Sequence, residues 1–266
     1  MNKQNALQYF SQKYGHKFTV YPFSIKSKKD NYFFMVKDDK EKFLIVVAMS
    51  DLAQKFEGSV LEEKEVDENK LIIKKCYLNS HNNLSLLREI FPWLNPSFCG
   101  LRASFGTGDR LGIATPAHIQ AFAGKDIFPI LAQQSVREMS RAERNWQKVL
   151  GDAIWGCFEA GYEGLFGADA DHVKDIKELK EAADCGFTMF TLDPSGFIRN
   201  DIGRLNKQEL NQLYNQILNS KEIEGLYLSK SYKIKGQELI FDEKSLKEII
   251  LNPLPKSSID LLSFDL

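Results

Sequence analysis

The hydrophobic and polar positions divide the chain into two stretches with different patterns. Over residues 1–100, short apolar runs alternate with charged clusters, which is typical of strands joined by turns. Residues 32–36 and 43–48 are apolar, residues 37–42 between them are charged, and residues 71–73 form a further apolar run. We therefore predict an N-terminal α+β module over residues 1–100, with strands at these three runs.

From residue 101 onward, short apolar runs are followed by segments of helical periodicity, which is the pattern of a parallel β/α sheet. The predicted strands are residues 102–105, 128–132, 164–167 and 187–192. Apolar side chains recur at three- and four-residue steps over 141–160, which predicts a helix there. A second helix is predicted over about 173–185. A third begins at Thr115-Pro116, a capping residue followed by a proline suited to the first helical position.

Sequence signals also mark the ends of the first two of these helices. Ser140 and Glu143 have the spacing of a capping box at the start of the first helix. Gly161 suits the left-handed residue that follows its last turn, and Gly186 is the predicted stop of the second helix. Both helices are thus bounded by residues that favour a change of backbone direction.

Each predicted strand of this second stretch is followed by polar residues. They are Asp109 and Arg110 after the first strand, Gln133, Gln134 and Ser135 after the second, Asp169, Asp171 and His172 after the third, and Asp193 and Ser195 after the fourth. The carboxyl ends of parallel strands lie on one side of a sheet, where barrel enzymes build their active sites. We expect a functional site at this edge.

Composition narrows the class of protein. The chain has 35 Lys and Arg against 36 Asp and Glu, so its formal net charge of -1 gives no general attraction to nucleic acid or to an anionic membrane. No apolar stretch approaches the roughly 18 residues of a membrane span, and the first residues lack the layout of a secretory signal. We therefore predict a cytoplasmic protein that binds neither nucleic acid nor membranes.

Other chemistry-bearing residues favour structural roles. The cysteines have no CxxC spacing, which favours reduced, buried thiols over disulfides or a zinc site; they are Cys76, Cys99, Cys157 and Cys185. His16 and His81 lie in polar surroundings and are predicted to be surface residues. His118, near the start of the third helix, either faces the site or is a capping or core residue. Core positions at helical spacing are predicted for Trp146, Trp155 and Phe158.

The glycine-rich segment 106–112 does not fit a dinucleotide site, because its spacing is GxGxxxG and no acidic residue ends the next strand. The glycines allow a sharp turn around a bound group, and Arg110 offers a fork of donors to a carboxylate or phosphate. The alternative is that Asp109 and Arg110 pair with each other only to brace the loop.

Residues 167–172 place two carboxylates and an imidazole within four positions, a donor set that suits a divalent metal. In an extended chain Asp169 and Asp171 share one face and His172 points to the other, so all three converge only if the chain turns. The alternative is that Asp171 caps the following helix. At the end of the fourth strand, Pro194 holds Asp193 in an extended conformation, for catalysis or for turn formation alone.

Together these segments resemble the tagaturonate epimerase family, enzymes of bacterial hexuronate breakdown that interconvert tagaturonate and fructuronate. The motifs that carry the resemblance are residues 104–118, 128–135, 167–172 and 187–195. The resemblance is strong over roughly 100–200, weaker before it and poor near the C-terminus. It implies a TIM-type barrel with an N-terminal extension, a keto-sugar acid substrate and a divalent metal cofactor.

The resemblance also implies roles for individual residues. Asp171 is the expected proton acceptor and His172 the expected metal ligand. The expected substrate-binding residues are Asp109, Arg110, Gln133, Asp169 and Asp193. Two routes of epimerisation stay open, a retro-aldol cleavage and a direct transfer of the C4 proton.

Family members are nearly twice as long as this chain, and a barrel needs about 250 residues. Only about 165 residues follow the N-terminal module, and residues 252–266 do not continue the β/α rhythm. We therefore expect a partial TIM-type barrel over 101–266, in a half-length or truncated family member with little activity alone. Its exposed strand edges call for a dimer or for a complementary chain that supplies the missing half.

Two further functions stay open. One is a metal-dependent isomerase or aldolase that acts on another keto-sugar acid. The other is a noncatalytic half-barrel that binds a partner protein or is only the fragment of a degraded gene. A panel of keto-sugar acids tested with metal separates the first from the epimerase. A folded chain with no intrinsic activity favours the second.

Overall fold

The structure is a computed structural model that describes residues 3–66, 69–193, 195, 201–216, 220–234 and 237–251. The chain divides into two compact units. Unit 1 comprises Met1–Asp171 and Asp184–Phe190, and unit 2 comprises His172–Ala183 and Thr191–Leu266. The boundary placed at residue 100 from the sequence stays a prediction.

Unit 1 begins with an antiparallel sheet in the order β1-β3-β4-β6-β5, with β2 paired to β3. Its strands are β1 (Thr19–Val20), β2 (Lys26–Lys28), β3 (Asn31–Lys37), β4 (Lys42–Met49), β5 (Gly58–Val66) and β6 (Asn69–Tyr77). The accompanying helices are α1 (Lys3–Tyr14), α2 (Ser50–Ala53) and α3 (His81–Ile90). The three strands predicted in this module are confirmed as parts of β3, β4 and β6. Helix α1 and strand β5 were not predicted.

The central strands of this sheet are buried on both faces, which explains their continuous apolar runs. On one face, Phe34 packs edge-on against Phe10 of α1, with ring centroids 5.0 Å apart. On the other face, Phe33 packs against Phe91 at 5.3 Å. The predicted charged turn is confirmed, because Asp38 accepts hydrogen bonds from two backbone N–H groups inside it.

The second sheet has four parallel strands in the order β10-β9-β8-β7. They are β7 (Ser104–Gly106), β8 (Phe128–Ser135), β9 (Gly167–Val173) and β10 (Met189–Leu192). The helices that follow them are α4 (Thr115–Phe122), α5 (Val136–Arg141), α6 (Trp146–Ala160) and α7 (Ile176–Cys185). An antiparallel sheet joined to a parallel four-stranded half-barrel confirms the predicted fold class.

The predicted third strand, residues 164–167, is wrong, because β9 begins where that prediction ends. The small residues Ala168 and Ala170 are fully buried and continue the pairing with β8 as far as Asp171, which lies opposite Ser135. The polar residues expected after the strand therefore lie within it. Strand β8 likewise runs on to Ser135, three residues beyond its predicted end at 132.

The predicted helix over 141–160 is confirmed over Trp146–Ala160 as α6, but its start is wrong, because residues 142–145 separate α6 from another helix, α5, which ends at Arg141. Helix α5 begins after Ser135, whose hydroxyl accepts the N–H of Glu138, and α6 begins after Asn145, whose side chain accepts the N–H of Lys148. The proposed capping box is wrong, because Glu143 adopts a left-handed φ of 52° in the break between the two helices. The predicted helix end is confirmed by Gly161, at φ 65°.

The other two predicted helices are confirmed as α4 and α7. In α4, Thr115 is the first helical residue and not the cap. The hydroxyl oxygen of Thr115 makes no cap, because it is buried without a hydrogen-bond partner in the described part of the chain. Helix α7 begins three residues later than predicted, at Ile176, and the Asp175 side chain accepts the N–H of Glu178 in its first turn. Gly186, at φ 100°, lies just after its end as expected.

Unit 2 contains α8 (Lys207–Tyr214), α9 (Ser220–Tyr227), α10 (Glu243–Leu251) and the antiparallel pair β11 (Ser231–Ile234) and β12 (Gln237–Ile240). A small core forms where Tyr214 packs with Leu246 and Ile250. None of these elements was predicted, and residues 252–266 lie outside the described residues.

Several sequence-based assignments to the core and surface are confirmed. The aromatic side chains of α6 are buried, and the indole N–H of Trp155 donates to the carbonyl of Leu78 at 2.8 Å. His16 and His81 are exposed. The prediction of buried cysteines is confirmed for Cys76 and Cys157, whereas Cys99 and Cys185 are half-buried. No helix in the described ranges is long and apolar enough to cross a membrane.

Candidate active site

The carboxyl end of the parallel sheet brings two of the predicted site residues into direct contact. Gln133 of β8 and Asp169 of β9 are opposite each other in register, and the Gln133 amide Nε2 donates to Oδ2 of Asp169 at 2.9 Å. Asp169 is buried, at 1% exposure. Gly106 of β7 makes room for this pair, because a Cβ there would overlap the Gln133 side chain.

Asp171 lies two residues further along β9, on the same face of the strand as Asp169 by the alternation of side chains. It pairs in register with Ser135 and is half-buried. The alternative role as a helix cap is wrong, since Asp175 accepts the N–H of Glu178 at the start of α7. Strand β9 therefore carries two carboxylates on one face, at the carboxyl end of the sheet.

Asp109 organises the loop between β7 and α4, residues 107–114, which we call the Asp109 loop. Its Oδ1 accepts the backbone N–H groups of Leu111, Gly112 and Ile113, and its Oδ2 accepts that of Ala114 at 2.7 Å. Partial burial opposes ionisation, but these N–H groups outweigh it and lower the pKa of Asp109 below its usual range. The carboxylate of Asp109 thus stabilises the fold of the loop.

Arg110 pairs with Glu138 of α5 and not with Asp109. Its Nε and Nη2 both lie within 2.7 Å of Glu138 Oε1, and the Arg110 side chain is more than half exposed. The alternative of an Asp109–Arg110 brace is therefore wrong, because backbone N–H groups take the place of the guanidinium on Asp109. A substrate carboxylate at Arg110 would compete with Glu138 for the same donors.

Three residues of this network were not identified from the sequence: Glu138, Arg144 and Asp152. The Arg144 guanidinium donates to the carbonyl of Asp109 at 2.7 Å and to Oδ2 of Asp152 at 2.8 Å. Asp152 in turn lies against Gly112, where a Cβ would overlap its carboxylate. No motif signals Arg144, because it lies in the helix break that the periodicity concealed.

His172 and Asp193 contact each other within unit 2. The imidazole Nδ1 lies 3.4 Å from Asp193 Oδ2, and the ammonium group of Lys174 lies 3.9 Å from the same oxygen. Asp193 Oδ1 accepts the N–H of Ser195 at 2.9 Å. Hydrogen bonds from Ser195 lower the pKa of Asp193, with smaller contributions from His172 and Lys174. Asp193 thus forms the expected turn and also faces the histidine, while Pro194 lies outside the described residues.

The chain does turn at this point, because His172 adopts a left-handed φ of 58° although it is not glycine. The turn is made at His172 itself, before helix α7 begins at Ile176. His118 is half-buried on α4, and its Nδ1 has no hydrogen-bond partner in the described ranges.

A metal site can be formed only in part by these side chains. In the ranges that the structure describes, no three His, Cys, Asp or Glu side chains lie close enough together to hold a metal ion. An imidazole beside a carboxylate is a suitable donor set for a divalent cation, but it supplies at most two ligands. The residues therefore fit a metal only if further ligands come from elsewhere.

The chain is similar over most of its length to one family of enzymes. The sequence pattern of that family, tagaturonate epimerase, matches residues 21–254. A tagaturonate/fructuronate epimerase of Thermotoga maritima is 44% identical over 246 residues, which are 92% of this chain and 50% of that protein.

The fold is similar to crystal structures of the fructuronate-tagaturonate epimerase UxaE from Cohnella laeviribosi. The native structure matches with a TM-score of 0.77 at 32% identity, over 97% of this chain and 51% of that chain. A structure complexed with one glycerol gives the same values. The chain spans about half the length of the relatives it matches.

Proposed function

This chain belongs to the tagaturonate epimerase family, and from that premise we propose that it carries part of the active site of an isomerase that interconverts tagaturonate and fructuronate. We assign it to the cytoplasmic breakdown of hexuronates. The observation that carries the proposal is the pair of carboxylates on β9. Asp169 is buried and accepts a hydrogen bond from Gln133, and the half-buried Asp171 lies two residues further along the strand, at the carboxyl end of the sheet.

The chemistry requires a base near C4 of the sugar acid. Tagaturonate and fructuronate differ at C4, which is one bond beyond the carbon alpha to the C2 ketone, so simple enolisation does not invert it. In a retro-aldol route the base takes the C4 hydroxyl proton, the C3–C4 bond breaks to an aldehyde and an enolate, and the aldehyde rotates before the bond re-forms. In a direct route the base takes the C4 proton and an acid returns a proton on the opposite face.

Asp171 is the proposed proton acceptor in either route. An ordinary carboxylate is a weak base, so it needs a raised pKa or the help of a nearby cation. Gln133 holds Asp169 in place, and the Asp109 loop and Asp193 are assigned to substrate positioning.

His172 is the proposed metal ligand, oriented by Asp193. A carboxylate at one ring nitrogen fixes the orientation of an imidazole that binds a metal through the other, which here is Nε2. A divalent metal, when bound, supplies Lewis-acid stabilisation of the negative charge that develops in either route. The remaining ligands would come from outside the described residues.

Arg110 is the proposed partner of the substrate carboxylate. It is exposed, lies at the carboxyl end of the sheet and carries donors in a planar fork that matches a carboxylate. Its present partner, Glu138, supplies a carboxylate of the same shape. Binding of substrate would therefore exchange one carboxylate for another at Arg110.

Completion of the site would require further strands. The end strand β7 is exposed along its whole length, and Phe105 within it is 61% exposed. Leu101, Leu111 and Ile113 nearby are exposed as well. Such an apolar edge is unusual for a finished sheet, and we assign it to contact with a second copy or with a chain that supplies the other half of the family fold.

The direct test is an assay of the purified chain with tagaturonate in the presence of zinc, manganese or nickel, beside a panel of other keto-sugar acids. The proposal predicts that any turnover is confined to tagaturonate and fructuronate and that it is far below about 1 per second, a low value for ordinary enzymes. Efficient turnover of another keto-sugar acid would contradict the assigned substrate.

A further inference from the structure

The Asp109 loop is attached to the rest of unit 1 through one buried guanidinium. The Arg144 side chain is 3% exposed and contacts three different segments of the chain. Its Nη1 donates to the carbonyl of Asp109 in the loop and to Oε1 of Gln134 in β8, at 2.7 and 2.5 Å. Its Nη2 donates to Asp152 of α6.

The second anchor of the loop is Gly112. Its left-handed φ of 74° and its close approach to the Asp152 carboxylate place the loop directly on α6. Asp152 therefore serves both as the counter-charge of Arg144 and as the surface on which the loop rests. Gln134, the neighbour of Gln133 in β8, is itself buried at 1% exposure.

We propose that Arg144 is a positioning residue that locks the Asp109 loop against the carboxyl end of β8. Its fork of donors joins the loop carbonyl to Gln134, one residue from the amide that holds Asp169. Arg144 thereby fixes the distance of the loop, and of Arg110 within it, from the pair of carboxylates on β9. That consequence for substrate rests on the proposed function, whereas the lock itself does not.

Lysine is the informative replacement for Arg144. It keeps the charge, but its single nitrogen does not reproduce a planar fork that spans acceptors on three segments. In Arg144→Lys, hydrogen exchange at the four N–H groups bound by Asp109 should rise at least about tenfold, while exchange in β3 and β4 stays unchanged. Arg141→Lys, at an exposed position of α5, is the matched control and should leave the loop protected.

Asp152→Asn is a second variant that tests the same contact if Arg144→Lys does not fold. It preserves the shape that faces Gly112 but removes the counter-charge of Arg144, and it should produce the same loop-specific increase in exchange. Unchanged protection of the loop in these variants would overturn the lock. An equal increase throughout unit 1 would overturn it too, because it would show a general structural role.

Affinity for tagaturonate, measured by calorimetry on wild type and Arg144→Lys, tests the consequence for substrate. We expect at least about tenfold weaker binding in the variant. Equal binding with a mobile loop would overturn the positioning role. If wild type alone binds no tagaturonate, the consequence for substrate is overturned for the isolated chain, and hydrogen exchange alone then decides whether Arg144 locks the loop.

Discussion

The amide of Gln133 and the carboxylate of Asp169 are joined by a 2.9 Å hydrogen bond between adjacent parallel strands. The register of β8 and β9 places the two residues opposite each other, and Gly106 on the next strand leaves space for the glutamine. A buried carboxylate is stable only where donors replace its lost hydration. Gln133 thus supplies one of the donors that stabilise the buried carboxylate of Asp169.

Replacement of Gln133 by leucine should destabilise the protein. The change keeps the approximate volume but removes a donor from a buried charge, so we expect a loss of about 1–3 kcal/mol in the free energy of unfolding. Urea denaturation followed by circular dichroism measures this loss. Gln147→Leu, at an exposed position of α6, is the control, and an equally small effect of both changes would show that Asp169 does not depend on Gln133.

Gly112→Ala should cost more than the same change at Gly124. Both glycines have left-handed φ angles, 74° and 72°, so both variants carry the same backbone strain of about 1–2 kcal/mol. Only at Gly112 would the new Cβ overlap the carboxylate of Asp152, since nothing lies within 4 Å at Gly124. We expect Gly112→Ala to lose at least about 1 kcal/mol more. Equal losses in thermal unfolding would mean that the loop does not rest on Asp152.

The stability of the Asp109 loop should depend on acid pH. Because the pKa of Asp109 is lowered in the folded chain, its contribution is fully present above the unfolded value of about 4 and is lost as the pH falls through the lower folded value. The stability difference between wild type and Asp109→Asn should be constant above about pH 4 and shrink below it.

Urea titrations from pH 2 to 7 measure that difference. Asp126→Asn, at an exposed position, serves as the matched control for the loss of one carboxylate. A difference between wild type and Asp109→Asn that stays the same down to the lowest pH would show that the charge of Asp109 does not hold the loop.

His172→Ala should lower metal binding by the whole protein. The variant is best examined in a chimaera that joins this chain to the half of the Thermotoga maritima relative that it does not cover, because a lone imidazole leaves most of a metal shell to water. His172→Asn is a second variant, since asparagine tolerates the left-handed backbone of this position better than alanine does.

Metal content after dialysis reports the result. We expect both variants to fall well below the unmodified chimaera, and His81→Ala, on the surface of α3, to match it. Full metal content in folded His172→Ala would remove His172 from the set of ligands.

The sequence predicted the elements whose apolar periodicity is strong, such as β3, β4 and α6, and it predicted the edge of the sheet that carries the polar residues. It placed the ends of β8 and β9 too early, because polar residues such as Asp169 continue a buried strand when small neighbours and a paired amide satisfy them. Local signals do not contain such pairing.

The contacts of Arg144 were not predicted from the sequence, for a similar reason. The apolar periodicity of residues 141–160 predicts one helix. In the structure Arg144 lies in a non-helical segment before α6, where it contacts Asp109, Gln134 and Asp152. Strand β5 was missed because its apolar positions are few. The later helices were missed although their apolar side chains recur at three- and four-residue steps, as Leu210, Leu213 and Tyr214 do in α8.

The rate at which tagaturonate is converted to fructuronate, measured for the chimaera, for the chain alone and for the chimaera with Asp171→Asn, decides whether this chain carries the catalytic base. We expect turnover in the chimaera, almost none in the chain alone, and a loss of at least about a hundredfold in the Asp171→Asn chimaera. A folded chimaera that binds metal but does not convert tagaturonate, under conditions where the Thermotoga maritima relative does, would contradict the assignment of this chain to the epimerase active site.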